Sequence, residues 1–383
     1  MASSAQPTFG PHAHNPHDAS APSPVVLIAT DAGAAANHEE IAAWIAEGVR
    51  SVIQDAKITL APLSNGTAGT AALFVGETVT LPTTDSAGRL TEASYTFDPS
   101  TSTAFIDLAA ATGQQDAATL LGGDTYGTGV LIADAQTRGA KRIVLATGGD
   151  STLDGGTGIL VALGAAPLNA AGYSIHPGAR GLCELATIDT AQLNIPAASL
   201  NWLVLADDTP TATEAARRLG QQLGAPEKDI AVAEQGLARL VEVTGVDPDA
   251  PGMGAGGAAP ISITWLSHLL HGTTEHITVI PGAQFTAAMQ GLDALAAGAS
   301  FVITADIASG GAPGGVTHTV AAAAAKAGRP TGVISGSIGG ILPEGVLEAD
   351  IDFGGNRDQL RRELTRAGAE LTVDYLRIST VQG

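Results

Sequence analysis

The apolar positions fall into short, regularly spaced runs. Val25–Thr30 (VVLIAT), Ile143–Ala146, Ile277–Pro281, Ser300–Thr304 and Thr331–Ser335 are each a few residues long and rich in β-branched side chains. Such runs predict strands buried on both faces. Between them lie stretches with helical spacing. One begins near Asn37, with Glu39 and Glu40 in its first turn and Ile41, Ala42, Ile45 and Val49 on one face. Further helices are predicted over Ile159–Leu163, Ala212–Leu223, Asp229–Val243, Ser262–Leu270, Gln284–Leu295, Val316–Ala327 and Asp358–Leu371. Strand alternating with helix predicts an α/β fold with a largely parallel sheet.

The pattern changes near Thr78. TVTLPTTDSAGRLTEASYTF and TAFIDLAAATG alternate and are rich in Thr, Ser and Pro, which predicts antiparallel strands. The βα character of residues 25–60 returns in the last third of the chain. A first domain made of residues 25–77 plus 286–383, with residues 78–285 inserted, is therefore expected. Residues 1–24 carry Ser, Ala, Pro and His without a basic start or an apolar core. They read as a disordered tail and not as a secretory signal.

Composition narrows the function. At 383 residues two domains are the prior. The 48 glycines suit short βα turns, and the formal net charge of −20 disfavours nucleic acid and anionic membranes as partners. No apolar run approaches the ~18 residues of a membrane span. Cys183 is the only cysteine, which excludes an intrachain disulfide and suggests a reducing, cytoplasmic setting. It reads as a small apolar filler. None of the four lysines, Lys57, Lys141, Lys228 and Lys326, precedes Ser or Thr, so a P-loop is absent.

Chemistry is suggested where strands end in polar, glycine-bearing loops, because ligands of open α/β sheets bind at the carboxyl ends of strands. Asp31 follows the first strand. Lys57–Leu60 reads as a further strand, and Asn65, Gly66 and Thr70 lie in the loop after it. The densest segment is Lys141–Ala165, where Gly148, Gly149, Gly155, Gly156 and Gly158 are interleaved with Asp150, Thr152 and Asp154. Strand, glycine turn and helix present backbone N–H groups to an anion. Mg²⁺ is commonly held by one or two carboxylates plus phosphate oxygens, which makes Asp154 a candidate ligand. The plain alternative is a turn that only packs a helix on a sheet, with Asp31 as a helix cap and Asn65–Gly66 as a turn. Gly252–Gly257 fits GxGxxG by letter, yet TGVDPDA before it is no strand. That rejects a dinucleotide-dependent oxidoreductase and predicts a flexible turn.

Taken in order, these motifs resemble the type 1 glycerate kinase family over nearly the whole chain after the tail. PLSNGTAGT is similar to the family's Pro-x-x-Asp-Gly-Gly-Glu-Gly-Thr, FIDLAAATG to its apolar-Glu-Met-Ala strand and TYGTG to its Ser-Tyr-Gly-Thr-Gly. GGDSTLDGGTGILVALG is similar to its Gly-Gly-Ser-Ala-Thr-Asn-Asp-Gly-Gly segment. LGQQLGAPEKDI, PGMGAGGAA, FVITADIASGG and GRPTGVISGSIG follow in family order. The resemblance implies a two-domain α/β fold. A Rossmann- or flavodoxin-like parallel-sheet domain carries an inserted second α/β domain, and the active site lies in the cleft between them. It implies ATP-dependent phosphorylation of a glycerate hydroxyl with Mg²⁺. The implied partners are a nucleotide and glycerate or a related hydroxy acid, with homo-oligomerisation left open.

Within that resemblance, Asp154, Asp31 and Asp306 are the expected catalytic carboxylates, and Asp154 and Asp306 the expected metal ligands. Asn65, Gly66, Thr70, Gly148, Gly149, Asp150, Thr152, Gly155 and Gly156 would hold substrate or phosphate. The departures concern charge. The family's Asp-Ser-Phe-Lys is Asp31-Ala32-Gly33-Ala34, and its Pro-Gln-Lys-Gly is Gln221-Gln222-Leu223-Gly224, so two lysines are gone. Acidic positions have become Asn65, Ala68 and Val130. Removing one interaction that stabilises transition-state charge costs a few kcal/mol. A catalytically impaired pseudokinase with a binding or regulatory role is therefore the alternative. Basic residues such as Arg142 or Arg180 facing the cleft would favour the enzyme.

Overall fold

The computed structural model describes residues 23–33, 35–113, 120–149, 152–207, 210–306, 314–336, 345–352 and 356–382. The chain opens with β1 (Val25–Thr30), the helix His38–Val52 and β2 (Lys57–Pro62), which lies parallel to β1. It then leaves this sheet for β3 (Glu77–Thr84), β4 (Leu90–Asp98), β5 (Thr103–Asp107) and β6 (Arg142–Ala146). A side hairpin follows, β7 (Ala166–Asn169) with β8 (Leu185–Asp189), and then β9 (Asn201–Ala206). Three helices, Ala212–Gln222, Glu227–Thr244 and Ala255–His271, precede β10 (Ile277–Pro281). The chain returns through β11 (Phe301–Asp306), β12 (Thr331–Ser335) and β13 (Leu347–Asp350), and ends in the long helix Arg357–Gln382.

Among the described residues the strands form two large sheets. The first runs β13-β12-β11-β1-β2, parallel throughout. The second runs β10-β9-β6-β5-β4-β3, parallel from β10 to β5 and antiparallel beyond. Parallel strands need a covering layer on each face, and β1 shows the result. Val26 and Ile28 face Ile41, Ile45, Ile303 and Leu364, whereas Leu27 and Ala29 face Val302, Val316 and Val320. In the second sheet Ile106, Leu145 and Val204 pack against Leu131, Ile159 and Ile263.

Three local expectations are revised. TAFIDLAAATG is not one antiparallel strand. β5 pairs antiparallel with β4 but parallel with β6, and Ala109–Thr112 is a helical turn. Alanine favours the helix once Leu108 N–H has donated to Ala146 O at 2.8 Å. The helix over 284–295 is broken at Gly291, whose φ of 65° is left-handed, giving Gly282–Met289 and Leu292–Gly298. Asp31 does not cap the first helix. Asn37 does, in a reciprocal capping box with Glu40. No helix of the described residues is long and apolar enough to cross a membrane.

The first and last helices cross at two glycines. A Cβ at Gly48 would collide with Thr365 O, and one at Gly368 would lie 2.5 Å from Ile45 O. Backbone cannot yield as a flexible side chain can, so Gly48→Ala or Gly368→Ala should destabilise the protein by about 1–3 kcal/mol. A lower denaturant midpoint at unchanged m-value would show it. An unchanged midpoint would mean that the helices separate freely.

Candidate functional site

The carboxyl ends of β1 and β2 meet those of β5, β6 and β9 across the loop 63–71. Asn65 is the joint. Its N–H donates to Asp31 Oδ2 at 3.2 Å, and its side-chain amide donates to Asp207 O at 3.1 Å. Gly66, left-handed at φ 84°, lies against Leu205 and accepts from Gly148 N–H at 2.8 Å. Gly282, after β10, sits where a Cβ would strike the Asn65 carbonyl. Thr286 Oγ1 bonds both the N–H and the C=O of Ser64. Asp107, at the end of β5, accepts from Gly69 N–H at 2.8 Å and Ala71 N–H at 2.9 Å. Asn65, Gly66 and Gly148 thus sit together with Asp31. Thr70 is buried and bonds Ser64 Oγ at 2.7 Å, so its hydroxyl braces this loop from within.

Asp154 occupies a different place. It is fully buried, and its two oxygens accept five hydrogen bonds. Oδ1 takes Thr152 Oγ1 and Gly156 N–H, both at 3.0 Å. Oδ2 takes Thr125 N–H at 2.9 Å and Thr125 Oγ1 and Gly158 N–H at 2.8 Å. The carboxylate therefore ties the start of the helix Tyr126–Thr137 to the start of the helix Thr157–Ala162. A carboxylate has about four lone-pair directions. The geometry makes Asp154 the keystone of the glycine loop and leaves no oxygen turned outward for a metal. Thr152, Gly155 and Gly156 belong to this buried core of the loop.

Gly252–Gly257 is ordered packing, not a flexible turn. Gly256, Gly257 and Ala258 are all left-handed, at φ 54°, 66° and 67°, and all buried. Gly257 O accepts from Gly155 N–H at 3.1 Å, and a Cβ on Gly257 would overlap Thr152 O. A side chain at Gly257 would push the turn off the Asp154 loop, and one at Gly256 would strike Thr147. Ala258 adopts a conformation costly for any residue with a Cβ. Between this turn and Gly149 lies a cavity of about 70 Å³ that Arg218, Gln222 and Asp207 also line. Arg218 is exposed and also lines this cavity. Arg142 lies at the opposite, amino end of β6, and Arg180 is exposed in the helix Gly178–Leu182. Leu223, where the resemblance expects lysine, packs on an apolar cluster with Leu237 and Leu240.

Asp306 closes β11, and its side chain lies outside the described residues, as does Asp150. β1 and β11 pair in parallel from Val26–Phe301 to Ile28–Ile303, so Asp31 follows the end of one strand and Asp306 ends its neighbour. Among the described residues no group of three or more His, Cys, Asp or Glu could hold a metal alone.

Three groups escape sequence reasoning because only folding desolvates them. Burial pushes the Asp107 carboxyl up to about 6, against the opposing pull of its two N–H donors. Asp124 also rises to about 6, through burial first and then the Asp154 charge. His38 is half-buried beside Gly69, and burial lowers its pKa. The position of Asp107 within FIDLAAATG, where the resemblance has glutamate, was the available clue. Cys183 is half-buried, and its Sγ lies 3.5 Å from Val232 O.

An α/β protein whose two sheets turn their carboxyl ends and glycine loops toward each other places polar groups where open α/β sheets bind ligands. Comparison with known proteins gives the class a family. The model of the glycerate kinase family matches residues 26–355, and the chain belongs to that family. It is 31% identical over 327 residues to a glycerate kinase of Halalkalibacterium halodurans, covering 80% of this chain and 83% of that one. It is 33% identical to the glycerate 2-kinase of Escherichia coli K12 over 234 residues, 57% of this chain and 61% of the relative. The crystal structure of a candidate glycerate kinase 2 from Salmonella typhimurium LT2 superposes with a TM-score of 0.73 at 27% identity. That match covers 94% of this chain and all of the other.

Two outcomes follow from the buried carboxylates. Asp154→Ala strands three N–H groups and two hydroxyls, so it should cost more than about 3 kcal/mol. Denaturant unfolding should show the same loss with and without Mg²⁺; a loss confined to Mg²⁺-containing buffer would make Asp154 a metal ligand. Asp124 binds a proton more tightly folded than unfolded, so its contribution to stability is present at low pH and falls as pH rises from about 4 to 6. Asp124→Asn keeps an acceptor for Tyr126 N–H and removes that slope. Its stability relative to wild type should rise between pH 4 and 7 and be flat above.

Proposed function

We propose that the protein is a working glycerate kinase, transferring the terminal phosphoryl group of ATP to a hydroxyl of glycerate. The observation that carries the reading is the joint at Asn65, where the carboxyl ends of both sheets and their glycine loops meet in a chain of this family. Phosphoryl transfer asks for positioning and neutralised charge more than for covalent chemistry. Asp31 and Asp306, at the carboxyl ends of adjacent parallel strands, would hold Mg²⁺, which would neutralise phosphate charge when bound. The Gly148–Gly149 turn would lie against phosphate oxygens. Asp107, pushed up to about 6 by burial, holds the loop in place through Gly69 and Ala71 N–H. Asp154 keeps the loop in shape instead of meeting the metal. Arg218 supplies the positive charge that the lost lysines would have given, which favours the enzyme over an impaired relative. A cytoplasmic, reducing location is part of this proposal, resting on the single cysteine.

The test is a coupled assay of ADP release with ATP, Mg²⁺ and D-glycerate. Turnover that depends on glycerate is expected, and Asp31→Asn should lower kcat by about 10²-fold or more while the protein stays folded. Glycerate-independent or absent ATP consumption would overturn the assignment. Full activity in Asp31→Asn would remove Asp31 from the site.

A further inference from the structure

We infer that the cavity between Gly149, the left-handed Gly256–Gly257 turn and Arg218 is the seat of the acceptor's carboxylate. This rests on the kinase reading only in naming glycerate as the acid. Size comes first. At about 70 Å³ the cavity has room for roughly five water-sized groups at ~10–15 Å³ each. A three-carbon hydroxy acid fits that space. A base and ribose do not, since pockets for larger ligands run to several hundred Å³.

Chemistry comes second. Arg218 and Gln222 are four residues apart on one helix, so both point to one side, and both line the cavity. A guanidinium forks onto a carboxylate through two parallel N–H bonds, and an amide beside it adds a donor. In a chain with formal charge −20, a cation at this cleft is what makes an anion welcome. Asp207 also lines the cavity, where Gly148 lets it approach: a Cβ there would lie 2.5 Å from Asp207 Cβ. A carboxylate and an arginine lining one cavity suit a ligand with an acid at one end and a hydroxyl at the other. The hydroxyl donates to Asp207, and the acid lies on Arg218. Neither side chain is without interactions of its own, and the ligand would share both.

The floor of the cavity explains the turn. Gly256 packs its Cα side on Thr147, with a hypothetical Cβ 2.8 Å from Thr147 Cβ. A Cβ on Gly256 would meet Thr147 and one on Gly257 would overlap Thr152 O, so the two glycines let the turn close against the inner wall of the cavity. The strain at Ala258 lies where strain is commonly kept, beside a binding site.

The test is calorimetric titration of the full chain with D-glycerate, and with glycerol as the probe of similar size that lacks the acid. Wild type should bind glycerate and not glycerol. Arg218→Met should weaken glycerate about ten- to hundredfold, Arg218→Lys less, with the KM for ATP unchanged. Gln222→Glu, which sets a like charge against the acid, should also weaken glycerate and serves if Arg218→Met fails to fold. Glycerate binding that is absent in wild type, or unaffected in all three variants, overturns the inference. So does a loss of ATP affinity with glycerate affinity kept, which would make the cavity a phosphate seat. Glycerate binding that follows Arg218 in a protein without turnover would instead overturn the kinase reading and leave this one standing.

Discussion

The loop from Leu63 to Ala71 runs between two sheets with most of its residues buried, and the need to satisfy their backbone amides shapes the cleft. Buried N–H groups without acceptors are rare because each costs about 1–3 kcal/mol. Here the acceptors are the carboxylates that end two strands: Asp31 takes Asn65 N–H, and Asp107 takes Gly69 and Ala71 N–H. The same bonds fix how the two sheets face each other, since the loop also holds Asp207 O through Asn65 and Gly148 through Gly66. Carboxylates at the cleft therefore serve the fold first. What chemistry remains to them depends on how each is solvated. Asp107 shows the competition, because burial outweighs its two donors and leaves its pKa raised.

Asp154 shows the same competition settled wholly for the fold. Its motif, Asp-Gly-Gly, reads equally well as a metal-binding loop or as a turn. Sequence carries the glycines and the carboxylate but not the direction of the oxygens. That direction is set by Thr125, twenty-nine residues away, whose N–H and hydroxyl both donate to Oδ2. The two motifs TYGTG and DGG are thus halves of one device.

The strands and most helices were legible because apolar runs bounded by glycine loops leave few alternatives in a parallel sheet. The family was legible through motif order. The failures are local and share a cause. Ala109–Thr112 and the break at Gly291 were missed because alanine and glycine have no side chain to report periodicity. The Gly252–Gly257 turn was dismissed correctly as a dinucleotide motif, but its burial against Thr152 depends on a long-range contact. Arg218 is exposed like its neighbour Arg217, which pairs with Glu227 and Glu234, but it also lines the small cavity beside Gly149, and that contact is not visible in sequence. One residue further on, the helix turns about 100°, enough to bring the next guanidinium to the cleft.

That rotation bears on how a very acidic chain handles an acidic substrate. Lysines spread over the surface would offer weak, screened attraction. An arginine at the mouth of a small cavity acts over short distance, where screening is least, and its fork fits a carboxylate. Leu223 can then be given to the apolar cluster without loss of the cation, because the helix presents Arg218 to the cleft and Leu223 to the core. Loss of a lysine from a motif is thus poor evidence of lost function while the same helix carries a guanidinium to the same opening. The left-handed turn beside that opening is set by packing: a Cβ on Gly256 would strike Thr147 and one on Gly257 would overlap Thr152 O, so the turn seats against the loop held by Asp154 only where both residues are glycine.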